Sequence, residues 1–213
     1  ALRRAALGIL RILQARQVHV PLPVLVEVAL DGLGMAFDKP ATEAALMEFL
    51  RTRLKGLWTT EGHGTDLAEA VLAAGYEDLP DAEARLEALA ALRGTADFSD
   101  LMAAFKRMGN LLRKAEGEAV GAVKPELLQE EAEQGLHRDF VALEEAVHAA
   151  LLGGNYPAAL EAMASLRAPL GRFFDDVMVL AEDPALRANR LGLLAVLSGT
   201  FSRIADFSAI STD

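Results

Sequence analysis

Apolar residues recur at i, i+3 and i+4 along nearly the whole chain, Ala and Leu dominate, and β-branched runs are rare. That pattern predicts an all-α, multi-helix bundle. A first helix is predicted over Leu2–Gln17, and Pro21 and Pro23 open a second apolar segment, Leu22–Leu33, closed by Gly32 and Gly34. A third helix is expected over Thr42–Thr59. After the break at Gly62-His63-Gly64, Thr65 is the expected N-cap of a short helix, Asp66–Ala74, that Gly75 ends. Pro80-Asp81 starts the next helix, which runs to Arg93-Gly94. Thr95-Ala96-Asp97 is the candidate boundary between a region at 1–96 and a second domain at 97–213.

In the second half, a helix is predicted from Ser99 to about Ala115, with Asp97 or Ser99 as its cap, then a Gly-containing loop, Glu116–Pro125. A helix or a bent pair is expected from about Glu126 to Leu152, ended by Gly153-Gly154-Asn155. Tyr156–Arg167 follows, then a helix opened by Pro169 over Phe173–Leu180. Asp183-Pro184 places an N-cap before Pro at the first helical position, the order helix starts favour. The last helix is expected to reach about Ala205. Val18-His19-Val20 is too short for a strand, and there is no internal repeat or low-complexity tract.

Composition narrows the picture. With 213 residues, 52% hydrophobic and 24% charged, the chain is long and apolar enough to bury a core without staples. It has no cysteine, which excludes disulfides and thiolate chemistry. No apolar run reaches the roughly 18–20 residues of a membrane helix. The start, Ala1-Leu2-Arg3-Arg4-Ala5-Ala6-Leu7-Gly8, lacks a signal-peptide layout and an initiator Met. A cytoplasmic piece of a longer protein is the expectation. The formal net charge is −10, from 21 Lys and Arg against 31 Asp and Glu. Phosphate affinity is largely electrostatic, so any nucleic-acid function needs a local concentration of cations.

One helix has such a concentration. Turning about 100° per residue, Leu101, Phe105, Met108 and Leu112 share one face of the segment Leu101–Ala115, and Lys106, Arg107, Asn110, Arg113 and Lys114 share the opposite one. Four cations and an amide form a ridge without an acid, and Gly109 is expected to let another backbone approach. A solvated bundle face would read the same way. The functional reading is a phosphate-contacting ridge with Asn110 placed to read a base edge or a ribose.

A second feature is a cation on an apolar face. In the last helix, Leu186, Leu193, Leu194, Leu197, Phe201 and Ile204 mark the buried side, Arg190 falls among them and Arg187 lies at the edge. A buried guanidinium needs a partner. Asp175 and Asp176, flanking the stripe Leu170, Phe173, Phe174 and Val177, are the nearest carboxylates in sequence, and a structural ion pair of Arg190 with one of them is predicted. The rival reading of the two aspartates as a metal or acid/base pair is disfavoured, because adjacent helical residues point about 100° apart.

Catalytic signatures are absent. His19, His63, His137 and His148 are not spaced i, i+4; Glu145-x-x-His148 is half of a di-iron motif that needs more ligands. His137-Arg138-Asp139 copies a kinase triplet in letters only, and no phosphate-binding Gly loop or nucleophile elbow is present.

Several stretches resemble one family. Phe105-Lys106-Arg107-Met108-Gly109-Asn110-Leu111-Leu112 is similar to the Lys-Arg-x-x-Asn-Ile pattern of the anticodon-binding module in the β subunit of bacterial heterotetrameric glycyl-tRNA synthetase, with Leu111 for the usual Ile. Asn155-Tyr156-x-x-Ala159-Leu160, Phe173–Asp183, Leu186–Leu191 and Ala205-Asp206-Phe207 resemble the same module, which is related to the helical module of arginyl-tRNA synthetase. Ala1–Ile9 resembles a segment of that subunit's HD-like helical domain, although the metal-binding His-Asp dipeptide of true HD phosphohydrolases is missing.

The resemblance implies an HD-like helical region at 1–96 and an arginyl-tRNA-synthetase-like anticodon-binding domain at 97–213. It implies recognition of tRNA(Gly) beside an α subunit, in an α2β2 assembly, that attaches glycine with ATP and Mg²⁺. This chain would hold no catalytic centre, metal or cofactor. The implied tRNA-binding residues are Lys106, Arg107, Asn110, Arg113 and Lys114, with Arg187 a weaker candidate. Glu130-Glu131-x-Glu133 and Glu144-Glu145 would turn away from RNA. The competing readings are a helical protein–protein scaffold without RNA binding and a metal-dependent HD-type phosphohydrolase.

Overall fold

The computed structural model of the chain describes residues 1–96, 98–117 and 120–211. It is helical throughout, with no strand among the described residues. The chain packs as two compact units, Ala1–Ala90 and Ala91–Asp213. Thr95 and Ala96 fall just inside the second, and Asp97 lies outside the described residues.

The first unit holds α1 (Leu2–Arg16), α2 (Leu22–Asp31), α3 (Lys39–Thr60), α4 (Thr65–Ala73) and most of α5 (Leu79–Arg93). α1 stops where Gln17 turns into the left-handed region (φ 49°), and Val18 N–H closes back on the Leu13 carbonyl at 3.0 Å. α3 begins three residues before the predicted Thr42. Asp38 caps it by accepting from Ala41 N–H at 3.1 Å, and Pro40 sits in the first turn, where its missing N–H leaves no bond unmade. α4 departs from expectation too: Gly64 is its N-cap, without a side-chain bond, and Thr65 is already helical.

Trp58, Leu10, Leu54, Leu67, Leu86 and Leu89 are fully buried in this unit. One charge is buried with them. Arg85 donates Nη2 to the Gly75 carbonyl at 2.6 Å, Nη1 to the Val71 carbonyl at 3.4 Å and Nε to Asp81 at 3.0 Å. A cation therefore closes the C-terminal end of α4, where unpaired carbonyls concentrate partial negative charge.

The second unit holds α6 (Phe98–Lys114), α7 (Glu131–Leu152), α8 (Tyr156–Ser165), α9 (Arg167–Asp176) and α10 (Pro184–Phe201), with 3₁₀ turns at Pro125–Leu127 and Phe207–Ala209. α7 packs on α8, α9 and α10, and α6 packs on α9, α10 and the last 3₁₀ turn. Phe105 of α6 meets Phe201 edge-on at 5.9 Å and Phe207 at 5.1 Å, fixing the inner face of α6 in the core.

Several helix limits in this unit differ from the sequence expectation, and α8 ends at Ser165, two residues before the predicted Arg167. α7 starts at Glu131, not Glu126, because Glu130 and Glu133 form a reciprocal capping box. α9 spans Arg167–Asp176 and not Phe173–Leu180: Val177 is extended (φ −112°, ψ 122°), so the chain leaves the helix there. α10 ends at Phe201, short of Ala205. Its start is as predicted, with the Asp183 carboxylate accepting from Ala185 and Leu186 N–H at 2.8 and 3.2 Å.

The loop after α6 is strapped to α10. Asn189 is buried and pairs with both backbone groups of Lys124, accepting from its N–H at 2.6 Å and donating to its carbonyl at 3.1 Å. One turn on, the Gly121 carbonyl lies so close to Gly192 that a Cβ there would sit 2.3 Å from it. The close approach expected at Gly109 is not seen: a Cβ there would meet only the Ser208 Cβ at 3.9 Å, an ordinary contact. The two glycines should therefore respond oppositely to alanine. Gly192→Ala is expected to lower stability by about 1–3 kcal/mol through backbone displacement. Gly109→Ala is expected to raise it by roughly 0.5–1 kcal/mol through helix propensity. Thermal melts by circular dichroism check both.

Candidate nucleic-acid interface

α6 is amphipathic in the predicted sense. Leu101, Phe105 and Met108 are buried, Leu112 is half-buried, and Lys106, Arg107, Asn110, Arg113 and Lys114 are all exposed. No carboxylate among the described residues pairs with any of the four cations, and no helix covers them. Lys114 and Arg113 occupy the last turn of α6, where the helix dipole favours positive charge. The ridge is thus a standing concentration of positive charge on an acidic protein.

Its members are not equivalent. Arg107 lays its guanidinium over the Phe174 ring at 4.7 Å and donates Nη2 to the Phe174 carbonyl at 3.0 Å, so it anchors α9 as well as facing solvent. Arg113 donates to Asn110 Oδ1 at 2.7 Å, which occupies the amide's acceptor and aligns the two side chains. Lys106 and Lys114 are exposed and make no side-chain hydrogen bond or ion pair among the described residues.

Beside the ridge runs segment 177–181, which leaves α9 extended at Val177 and bends at Val179 and Leu180. Three arginines hold its backbone and its approach. Arg107 takes the Phe174 carbonyl, Arg190 Nη1 takes the Met178 carbonyl at 2.9 Å, and Arg187 Nε takes the Ala181 carbonyl at 2.8 Å. Arg187, a candidate RNA contact by sequence, is half-buried and supports this segment.

The ion pair expected between Arg190 and Asp175 or Asp176 is not formed. Arg190, 4% exposed, is paired with Glu133 of α7, which is fully buried. The pairing is bidentate, Nε to Oε2 at 2.8 Å and Nη2 to Oε1 at 3.0 Å. α9 ends at Asp176 with both aspartates at the surface, while the inner face of α10 meets α7. Glu133 also accepts from Gln129 and Glu130 N–H at 2.6 and 2.9 Å. It is therefore not part of an outward acidic face, although Glu130, Glu131, Glu144 and Glu145 are exposed as expected. Burial pushes the Glu133 carboxyl up, but the Arg190 hydrogen bonds and the two backbone amides outweigh it and hold its pKa below the usual glutamate value.

Sequence reasoning missed Glu133 because its partner is 57 residues away. The available signal was its capping-box position three residues after Glu130. Among the described residues no group of three or more His, Asp or Glu could hold a metal ion, and no helix is long and apolar enough to cross a membrane.

The second unit is thus a helical module with an uncovered basic edge. Comparison with known proteins assigns it to the anticodon-binding class: residues 101–210 match the DALR anticodon binding domain, and residues 1–73 match the family described as glycyl-tRNA synthetase beta subunit. The whole chain is 46% identical to the glycine–tRNA ligase beta subunit of Anaeromyxobacter dehalogenans (strain 2CP-C), covering 30% of that protein. It is 39% identical to that of Myxococcus xanthus (strain DK1622) over 31% of its length. For that of Leptothrix cholodnii, 99% of the chain aligns at 42% identity with 29% of the relative. The chain belongs to the bacterial glycyl-tRNA synthetase beta subunit family, and it spans about 30% of the length of the curated relatives it matches.

The buried pair supplies a stability test. Since the folded pKa of Glu133 lies below its unfolded value of about 4.3, its contribution is complete above that value and is lost as pH falls through the lower folded one. Glu133→Gln is expected to destabilise the second unit by about 3–5 kcal/mol at neutral pH by leaving Arg190 buried without a counter-charge. It should also remove part of the stability loss below pH 4. Urea unfolding with hydrogen exchange read on α7 and α10, at pH 7 and pH 4, measures both effects.

Proposed function

We propose that this chain is the tRNA-recognition part of a glycyl-tRNA synthetase β subunit, binding tRNA(Gly) through the ridge on α6. The observation that carries the reading is the exposure of Lys106, Arg107, Arg113 and Lys114 on one helix edge, with no carboxylate among the described residues paired to any of them, inside the segment that matches an anticodon binding domain. In this reading Lys106, Lys114 and Arg113 contact phosphates, Asn110 reads a base edge or ribose through its amide N–H, and Arg107 contacts RNA from its place against Phe174. Arg187 acts behind them as a positioning residue for segment 177–181.

The partner is an α subunit in an α2β2 assembly, and the compartment is the cytoplasm. Glycine activation with ATP and Mg²⁺ is assigned to that α subunit, so the enzyme's chemistry is supplied there and this chain brings the tRNA to it. Nothing specific favours the scaffold reading, whose acidic partner-binding surface would leave the ridge without a role.

The experiment is filter binding of tRNA(Gly) to the full-length protein that contains this chain, across roughly 50–200 mM salt. Affinity should fall steeply with salt. Lys106→Glu and Lys114→Glu should each weaken binding and reduce the salt slope by about one. Binding that is absent, salt-insensitive or unaffected by both substitutions contradicts the proposal.

A further inference from the structure

Between the ridge and segment 177–181 lies a cavity of about 360 Å³, bounded by Arg107, Asn110, Leu111 and Lys114 on α6 and by Met178 and Leu180 opposite. Its volume is that of a small-molecule site, and its wall is unusual. Val177 and Val179 are 7% and 5% exposed, whereas Met178 is 72% and Leu180 40% exposed. Exposure alternates along the segment, which buries one set of apolar side chains and presents the other to solvent. It is not a slack loop: Arg190 and Arg187 bind its carbonyls at Met178 and Ala181, and Arg107 binds the Phe174 carbonyl just before it. The backbone is therefore fixed so that a thioether and a leucine stand out into water beside three polar or cationic side chains of α6.

The geometry points to this slot as the seat of one unstacked nucleobase of a single-stranded RNA loop, its face on Met178 and its flanking phosphates on Lys114 and Arg107. This assignment rests on the RNA-binding reading above. Charge complementarity selects the occupant: a flat, weakly polar ring joined on both sides to anionic groups matches an apolar wall beside cations. Single-stranded RNA recognition works by splaying bases onto such platforms. Methionine sulfur adds a favourable contact with a ring.

The test uses the full-length protein and a set of anticodon-arm stem-loop RNAs of tRNA(Gly), intact or abasic at one loop position each. For the unaltered protein, one abasic RNA should bind about three- to tenfold more weakly than the intact arm. Met178→Ala should bind the intact arm weaker by the same factor, lose nothing further with that abasic RNA, and keep the salt slope unchanged. Met178→Leu should retain most of the affinity, because the apolar contact survives. Met178 is exposed, so neither variant disturbs the core. Unchanged binding by Met178→Ala, as expected of a surface kept for a protein partner, overturns the slot. So does a loss that adds to that of every abasic RNA. Salt-dependent binding by the ridge would then still stand. Absence of salt-dependent binding in the unaltered protein removes the slot and the RNA-binding reading together.

Discussion

The second unit depends on one buried carboxylate. Glu133 is fully excluded from water and receives a bidentate guanidinium and two backbone N–H groups, so all its charge is answered by fixed donors. A buried ion pair contributes little net stability compared with apolar residues of the same shape. What this one provides is position. Glu133 starts α7, Arg190 belongs to α10, and the guanidinium nitrogen left over from the pair holds the Met178 carbonyl. Two helices and the segment 177–181 are therefore joined through one guanidinium, and the segment is the one facing the basic edge of α6.

That arrangement sets a concentrated basic edge on an acidic protein. Exposed charges interact over a Debye length of about 8–10 Å, so the four cations gathered on the outer face of α6, none of them paired to a carboxylate among the described residues, act as a local group whatever the net charge of the chain. Arginine and lysine divide the work according to their chemistry. Arg107, Arg187 and Arg190 have planar heads that fit carbonyls, a carboxylate or a ring, and they hold the frame. Lys106 and Lys114 are point charges on flexible stems and remain available to solvent and ligand.

Much of this was legible in the sequence. The helical class followed from apolar period, the two faces of α6 from turning about 100° per residue, the start of α10 from Asp183-Pro184, and the burial of Arg190 from its place among leucines. The partner of Arg190 was not legible. Proximity along the chain favoured Asp175 and Asp176, but which helices abut is a tertiary fact, and α7 supplied Glu133. The segment after α9 was also mispredicted. Phe173–Leu180 has helical letters, yet the helix ends at Asp176, and Arg107 and Arg190 supply donors to the carbonyls of Phe174 and Met178 that the helix leaves unpaired. Arg85 went unnoticed because a polar residue in an Ala- and Leu-rich helix reads as exposed until α4 is packed against it. The capping box at Glu130 and Glu133 was readable, but each of its glutamates looked like part of an acidic surface.

The account stands on the outer edge of α6 lying against RNA. Amine-reactive footprinting of Lys106 and Lys114, with and without saturating tRNA(Gly), measures that contact at the two exposed lysines of the ridge. Protection of both lysines by tRNA(Gly), reversed by high salt, is the result the account requires; equal reactivity in the free and tRNA-saturated protein would contradict it.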